Sequence, residues 1–250
     1  MAGVIGGDRT SLDMPAPEED LLKAVKATGK PLALLLMNGS ALSVNWAAAN
    51  ADAILEAWYP GQAGGTAIGE TLSGANNPAG RLPVTFYTGV DQLPPFRDYA
   101  MKGRTYRYFT GKPLYPFGHG LSYTSFAYGK PLLSTTTVKA GETLGVDVEV
   151  RNTGKTAGDE VVQLYLSFPQ APGMPIRALR GFSRVHLAAG AMTRVHFDLD
   201  ARELSSVTEA GKRVVAPGVY RLTVGGGQPG TGAVTVGTGF RVAGTVGLAE

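Results

Sequence analysis

The stretch "GVDVEVRNTGKTAGDEVVQLYLSF", residues 145–168, decides how the second half of the chain folds. Apolar residues occupy every second position before the polar segment "NTGKTAGD", and alternation resumes after it. A period of two places Val146, Val148 and Val150 on one face of a strand. It also places Leu164 among the inward residues of the next one. The pattern therefore predicts two half-buried strands separated by a turn.

The same alternation returns further along the chain. It occurs in "RVHFDLD", residues 194–200, and in "VYRLTV", residues 219–224. Turn signals such as "LAAG" and "APG" lie between these segments. Several short alternating strands from about Leu132 onward predict an immunoglobulin-like or fibronectin-type β-sandwich.

The first part of the chain has a helical period instead. In residues 11–31, prolines and acidic residues crowd one end, where a helix begins, and Gly29 and Pro31 end it. "LALLLM", residues 32–37, then predicts a strand buried on both faces, as in a parallel sheet.

Further helices and strands follow this segment. We expect a short helix, a second buried strand from Ala53 to Tyr59, and a helix that ends at Gly74. "NNPAGRLPVTF", residues 76–86, predicts a turn that leads to a short strand. Alternating helices and strands indicate an α/β arrangement.

Composition excludes several classes of function. The net charge is only +3, and Lys and Arg are scattered, so nucleic acid is not an expected partner. The absence of cysteine excludes disulfides and thiolate chemistry, and three isolated histidines argue against a metal site, so no cofactor or metal is expected. The longest apolar run is too short to cross a bilayer, so no membrane association is expected.

The glycines of "WYPGQAGGTAIGETLSG", residues 58–74, raise the question of a phosphate-binding loop. Such a loop needs a Lys followed by Ser or Thr, or a G-x-G-x-x-G arrangement, and this segment has neither. We therefore interpret Gly64 and Gly65 as structural residues that let a helix start pack closely under a sheet.

Three longer motifs indicate a family. "AILEAWYPGQAGGTAIGETLSGANNPAGRLPVTF", residues 53–86, resembles the C-terminal α/β sandwich domain of glycoside hydrolase family 3, which holds β-glucosidases and β-xylosidases. "YPFGHGLSYTSF", residues 115–126, resembles the linker that leaves that domain. Residues 151–166 and 176–199 resemble the fibronectin type III-like domain that follows it.

The resemblance implies a fold of two classes, α/β plus all-β. It assigns residues 1–90 to a partial α/β sandwich with a mostly parallel sheet, and 91–128 to an aromatic-rich loop and linker. Residues 129–250 then form a fibronectin type III-like, immunoglobulin-like β-sandwich. A partial sheet would leave an apolar strand such as residues 32–37 with an unpaired edge.

The implied activity is that of a C-terminal fragment of a β-glycosidase, β-xylosidase-like or β-glucosidase-like, which hydrolyses O-glycosyl bonds in carbohydrate catabolism. A retaining glycosidase needs two carboxyl groups. In the family the nucleophile is an Asp of an N-terminal barrel, and the acid/base Glu precedes the segment matched here by "GGDRTSLDMP", residues 6–15. No catalytic residue is therefore assigned, and the isolated chain is expected to be inactive.

Four residues are candidates for substrate binding: Asp8, Arg9, Arg104 and Tyr106. For Asp8 an ion pair with Arg9 or a loop-capping role is the favoured interpretation, and for Arg104 a role in clamping the aromatic loop. His186 and His196 should lie on solvated strand faces, while His119 should anchor a loop by a hydrogen bond. Trp58 is expected to pack in a core or between domains.

Two other functions stay open. The chain could be a non-catalytic polysaccharide-binding or domain-docking module that uses residues 99–109 and the face of the β-sandwich. Retention on xylan or cellulose, lost on replacing Tyr106 or Tyr108, would support it. It could also be one half of a split enzyme whose barrel is a separate chain.

The expected partner is a β-linked oligosaccharide or glycoside, bound when a barrel is joined to the chain, and a homo-oligomer is left open. No signal peptide is visible in "MAGVIGGDRTS", residues 1–11. The compartment stays unknown, and a periplasmic or secreted location of a full-length protein is compatible with the family.

Overall fold

The computed structural model describes residues 4–5, 8–169 and 173–249, and the backbone divides into two compact units, each built from three segments of the chain. The first, here called the α/β unit, comprises Met1–Asn76, Val84–Arg104 and Phe109–Pro116. The second, here called the sandwich unit, comprises Asn77–Pro83, Thr105–Tyr108 and Phe117–Glu250. The domain boundaries at residues 90 and 128 stay predictions, because compact units and family domains need not share limits.

The described residues of the α/β unit form two small sheets and three α-helices. Strands β1 and β2 are antiparallel, strands β3 and β4 are parallel, and a short 3-10 helix spans Val90–Gln92. In chain order the elements are β1 (Val4–Ile5), β2 (Asp8–Arg9), α1 (Ala16–Lys26), β3 (Ala33–Leu36), α2 (Asn45–Asn50), β4 (Ala53–Glu56) and α3 (Gly64–Ser73).

Helix α1 confirms the signals at its ends. Pro15 lies at its N-cap, and Gly29, with a φ of 77°, follows its last turn in the left-handed region. Lys23 and Glu19 are paired at 2.7 Å on its exposed surface. Its partly buried Leu22 packs against a small core of Met14, Leu36, Val44 and Ala47.

Strand β3 differs from its prediction. It ends at Leu36, and only that residue of the strand is fully buried, because β4 is its one sheet neighbour within the described residues. The prediction of burial on both faces is therefore wrong. The expected unpaired edge on an apolar strand is confirmed for the described part of the chain.

Strand β4 is also shorter than expected. It ends at Glu56 and does not continue to Tyr59, because Trp58 has a φ of 53°. A left-handed residue cannot continue a strand, and this conformation is rare for a bulky side chain. The strand predicted near residue 86 is also wrong, since Phe86 makes a single bridge, to Tyr115.

The glycines at the start and just after the end of α3 have different roles. A Cβ atom on Gly64 would lie 2.5 Å from the Pro60 ring, so a close approach does require glycine there. The neighbour is Pro60 and not a sheet, and at Gly65 a Cβ would meet nothing within 4 Å. Gly74, with a φ of 82°, ends the helix as predicted.

The sandwich unit consists mostly of strands. One sheet has the order β10-β9-β14-β15-β7, a second has β11-β8-β5 with β6 also paired to β8, and a third has β12-β13-β16. The elements are α4 (Thr105–Tyr108), β5 (Phe126–Tyr128), β6 (Leu132–Leu133), β7 (Thr137–Lys139), β8 (Leu144–Asn152), β9 (Gly158–Ser167), β10 (Ala178–Leu187), β11 (Met192–Leu199), α5 (Ala201–Leu204), β12 (Ser206–Val207), β13 (Arg213–Val215), β14 (Gly218–Gly225), β15 (Thr235–Ala243) and β16 (Val246–Gly247).

The core of the sandwich unit lies between its two larger sheets and confirms the period of two. Val148 of β8, Leu164 of β9 and Leu222 of β14 are buried there together. Gln163 and Tyr165 point to the other face of β9 and are buried as well. Tyr106 lies edge-on to the Tyr165 ring, and Gln163 donates a hydrogen bond to the Gly118 carbonyl, so the linker covers this end of the face.

Within the described residues, no helix has both the length and the apolar character that crossing a membrane requires. Within the same residues, no group of three or more His, Asp or Glu side chains is arranged to hold a metal ion.

Candidate functional site

Polar side chains collect where strands β3 and β4 end. Leu36 and Glu56 are opposite each other in the parallel pair, so the residues after both strands lie side by side. In open α/β sheets, ligands bind outside the carboxyl ends of the strands. We define the strand-end cluster by this position; its members are Arg9, Asn38, Ser40, Glu56, Trp58 and Tyr59.

Glu56 is the carboxyl group of the strand-end cluster. Its Oε1 atom accepts a hydrogen bond of 2.9 Å from the Trp58 backbone N–H. Its Oε2 atom is buried and has no hydrogen-bond partner in the described part of the chain. Burial raises the pKa of the Glu56 carboxyl, and the Trp58 hydrogen bond opposes that change. A carboxyl with a raised pKa can keep its proton and donate it in a hydrogen bond.

Trp58 is held in a strained backbone conformation. Its φ of 53° costs free energy in a residue with a large side chain. The bond to Glu56 and an edge contact between the Trp58 and Phe86 rings, with centroids 6.1 Å apart, hold it there. The half-buried Trp58 ring thus packs against the buried Phe86 ring, and the Trp58 N–H lies within hydrogen-bond distance of the carboxyl.

The loop after β3 forms the other side of the cluster. The Asn38 side-chain amide donates to the Ser40 carbonyl, and the Asn38 Oδ1 atom is buried without a partner in the described residues. The Arg9 guanidinium donates to Ser40 Oγ at 2.6 Å. A Cβ on Gly39 would lie 2.5 Å from the Tyr59 ring, so glycine lets that ring cover the loop backbone.

This arrangement offers two buried oxygen acceptors that have no donor, on Asn38 and Glu56. Such atoms suit the hydroxyl groups of a polar ligand, because an unpaired buried acceptor costs free energy until a donor reaches it. With Glu56 as its one carboxyl, the cluster cannot supply the two carboxyl groups of glycoside hydrolysis.

The predicted binding residues fall in different places. Arg9 is a member of the strand-end cluster and donates to Ser40, while the side chain of Asp8 is outside the described part of the structure. Arg104 belongs to the α/β unit and Tyr106 to the sandwich unit. Substrate contacts of all four residues stay predictions.

Arg104 clamps its own loop, as the favoured interpretation expected. Its guanidinium donates to the carbonyls of Pro95, Asp98 and Ala100, at 3.1, 2.5 and 3.2 Å. The Asp98 carboxylate accepts the Ala100 N–H at 2.9 Å. The loop is therefore ordered from within.

Tyr106 is engaged on both its ring and its hydroxyl. The ring stacks on Phe117 with centroids 4.1 Å apart, and the hydroxyl accepts a hydrogen bond of 3.0 Å from the Leu179 N–H. The next residue, Arg107, accepts the Ile176 N–H on its backbone carbonyl at 2.7 Å. These contacts fix the segment Thr105–Tyr108 within the sandwich unit.

Two of the three histidines are confirmed on exposed strand faces, and the hydrogen bond expected for His119 stays a prediction. His186 and His196 are exposed and lie beside carboxylates, His186 next to Asp159 at 2.6 Å. Hydrogen bonds to Asp147 and Asp198 raise the pKa of His196. Burial lowers the pKa of His119, and the neighbouring positive charge of Arg81 lowers it further.

Sequence reasoning missed Asn38, Glu56 and Tyr59 as members of a site. The available signal was positional: Asn38 closely follows one apolar strand, and Glu56 is the last residue of the next. Polar residues at the carboxyl ends of neighbouring parallel strands are brought together by the sheet itself.

Comparison with known proteins matches this architecture of an α/β unit and a β-sandwich. The sequence model of the glycosyl hydrolase family 3 C-terminal domain matches residues 4–123, and that of a fibronectin type III-like domain matches residues 160–228. The chain thus belongs to glycosyl hydrolase family 3 and corresponds to the C-terminal part of the family's proteins.

Named relatives agree with this assignment. A xylan 1,4-β-xylosidase from Xylanibacter ruminicola is 42% identical over 89% of the chain, and a periplasmic β-glucosidase from Salmonella typhimurium is 39% identical over 87%. The solved structure of a β-glucosidase from Erythrobacter marinus is 38% identical in sequence and superposes on 97% of the chain with a TM-score of 0.84. The chain spans 26%, 30% and 32% of these three proteins, respectively.

Proposed function

We propose that this chain is the C-terminal part of a β-glycosidase of the β-xylosidase or β-glucosidase type, which hydrolyses O-glycosyl bonds. The match to a β-xylosidase at 42% identity over 89% of the chain carries the proposal. The described residues contain no (β/α)8 barrel, so the carboxylate nucleophile comes from a barrel joined to them. The acid/base Glu, by resemblance, precedes residue 6.

The role of the chain in that protein is to support the active site. The strand-end cluster lies at the sheet edge where α/β proteins bind ligands. Its unpartnered oxygens on Asn38 and Glu56 suit sugar hydroxyls. The chain alone lacks both carboxyl roles and is expected to release no product.

The test is an assay of nitrophenol release from aryl β-xyloside and aryl β-glucoside. Three samples are compared: residues 1–250 alone, the chain mixed with a separately expressed family barrel, and the chain fused to that barrel. Activity only in the fusion supports the proposal, and activity in the mixture supports a split enzyme. Activity of the chain alone would contradict the proposal.

A second function, polysaccharide binding by the aromatic loop, is favoured by one observation. Tyr99 is 91% exposed and Phe96 is 72% exposed on the loop that Arg104 clamps. Exposed aromatic rings on an ordered loop can stack on sugars at little entropic cost. Because the Tyr106 ring is already stacked, the useful substitutions are Tyr99→Ala and Phe96→Ala. If both variants are retained on xylan as strongly as the unmodified chain, this loop is excluded as the polysaccharide-binding site.

A further inference from the structure

The outward face of the five-stranded sheet carries two neighbouring arginines. In the β14–β15 pair, Arg221 is opposite Gly239, and Val219 is opposite Arg241. Since Tyr220 and Leu222 point into the core, Arg221 and Arg241 point outward from the same face. They are diagonal neighbours, a spacing of about 7–8 Å in an antiparallel pair. We call this region the arginine face.

An open trough of about 790 Å³ runs along this face. Its polar lining includes Ser167, Arg221 and Thr223, and glycines 237 and 239 form part of it. Its two aromatic lining residues, Phe168 and Tyr220, are buried in the core and offer no exposed ring. The trough thus presents hydroxyls, a guanidinium and the exposed side chain of Val219, with no side chain at Gly237 and Gly239.

Gly239 has no explanation within the unit itself. Its φ is outside the left-handed region, and a Cβ there would meet only the Tyr220 carbonyl, at an ordinary 3.6 Å. Gly237 is different, because a Cβ would press to 3.0 Å on the Leu222 carbonyl. Glycine inside a strand is unfavourable and often marks close approach of a ligand or another backbone. At Gly239 no described residue makes such an approach, so a group that does would come from outside the described residues.

The charge of the face indicates the chemistry of this partner. Arg221 and Arg241 are exposed, and neither guanidinium has an ion pair or hydrogen bond to any described residue. In strand β7, Thr137 pairs with Arg241, and the exposed Lys139 lies two residues further along that strand. Among the described residues that line the trough none is acidic. The Glu142 carboxylate, three residues beyond Lys139 in the chain, accepts the Lys139 backbone N–H at 3.3 Å. Two free guanidinium forks suit a carboxylate.

We propose that the arginine face binds an acidic polysaccharide, a β-linked chain bearing uronic acid groups. The uronate carboxylate lies between Arg221 and Arg241, and the sugar ring lies against Gly239. The choice of a saccharide rests on the proposed function. The choice of an acidic one rests on the two unpaired arginines and on the lack of an exposed aromatic ring in the trough.

Affinity gel electrophoresis of the whole chain tests the proposal. The gels contain glucuronoxylan, or the same polymer after chemical reduction of its carboxyl groups to hydroxyls. We expect retardation by the first polymer and not by the second. The R221Q/R241Q double variant should bind glucuronoxylan about tenfold more weakly, because both guanidinium partners are lost. The R151Q/R194Q variant removes the same charge from the other sheet and should bind as the unmodified chain does.

A second variant separates shape from charge. Gly239→Val places a side chain in the trough without changing charge, and β-branched residues suit strands. We expect unchanged thermal unfolding and about tenfold weaker binding, as the sugar ring is lifted from the face. Equal retardation by reduced polymer, an equal loss in R151Q/R194Q, or full binding by Gly239→Val would overturn the proposal.

Other polyanions and the proposed function are distinguished in the same series. DNA that retards the chain as strongly as glucuronoxylan would mean a general electrostatic surface and would overturn the assignment of uronate. If the barrel fusion hydrolyses aryl glycosides but the chain does not bind glucuronoxylan, only this inference is contradicted. If the chain binds glucuronoxylan but the fusion does not hydrolyse aryl glycosides, only the proposed function is contradicted.

Discussion

Arg81 and Glu160 form a buried ion pair in the sandwich unit, with 2.8 Å between Arg81 Nη2 and Glu160 Oε1. Their side chains are only 9% and 5% exposed. Arg81 also donates to the Gly226 carbonyl at 3.2 Å, and Glu160 accepts the Val161 N–H at 2.7 Å. A pair 79 positions apart in the chain thereby ties the segment Asn77–Pro83 to strand β9.

Removing one partner of this pair should destabilise the chain strongly. Arg81→Met leaves the Glu160 carboxylate buried without its counter-charge, a change that costs about 3–5 kcal/mol of unfolding free energy. Urea denaturation followed by circular dichroism measures this loss. Arg184→Gln is the matched control, since its exposed pair with Asp159 contributes at most about 1 kcal/mol. Equal effects of the two substitutions would contradict a special role for the buried pair.

Alanine substitution should change stability in opposite directions at two glycines, one that follows α3 and one inside it. Gly74→Ala forces a Cβ into a left-handed position with a φ of 82°, which costs about 1–2 kcal/mol. Gly69→Ala lies inside the helix in open space and should stabilise it by about 0.5–1 kcal/mol. Thermal unfolding of the two variants is the measurement, and a loss of stability in both would show that the helix needs glycine for another reason.

The pKa values of two histidines should depart from 6.5 in opposite directions. Burial and then the charge of Arg81 lower the pKa of His119, while hydrogen bonds to Asp147 and Asp198 raise that of His196. Proton NMR titration of the imidazole signals measures both. Asp147→Asn should lower the pKa of His196 and leave that of His119 unchanged; movement of both would mean a wider structural change.

The same shifts fix the sign of their effects on stability. The stabilisation of the folded state by His196 is fully present below the pKa that this histidine has in the unfolded chain. It is lost as pH rises through the higher pKa of the folded protein. His119 acts the other way: its neutral form is favoured in the folded state, so stability falls as pH drops below 6.5 towards its lower folded pKa.

The clamp around Arg104 should control exchange in the aromatic loop. Arg104→Ala removes three hydrogen bonds to loop carbonyls, so the amides of residues 98 to 104 should exchange faster with deuterium. Mass spectrometry of the loop peptide measures this rate. Arg97→Ala is the control, because Arg97 is exposed and makes no side-chain bond to a described residue. An unchanged deuterium exchange rate in Arg104→Ala would contradict the role of Arg104 as a clamp of this loop.

Periodicity was sufficient for the sandwich because each strand buries one face. The inward positions of β8 and β14, such as Val148 and Leu222, are buried as the period of two predicts. The buried Gln163 and Tyr165 could not be predicted in this way. Their burial depends on Tyr106 and Gly118, which lie far away in the chain.

The α/β unit was harder to predict because its strands depend on neighbours and on single backbone angles. The apolar composition of residues 32–37 indicates two covered faces, but the number of paired neighbours decides burial. Nothing in "EAWYP" indicates that Trp58 is left-handed. The contact between Arg9 and Ser40 joins positions 31 apart and follows no local pattern.

Each unit is assembled from three separate segments, and this interleaving affects how the chain can change in evolution. A recombination break after residue 128 would transfer most of the β-strands of the sandwich unit but leave Arg81, Tyr106 and Phe117 behind. The transferred piece would keep a buried Glu160 with no counter-charge. Gene shuffling should therefore move the two units as a single cassette, and homologous exchange within the family should preserve the three segments of each unit together.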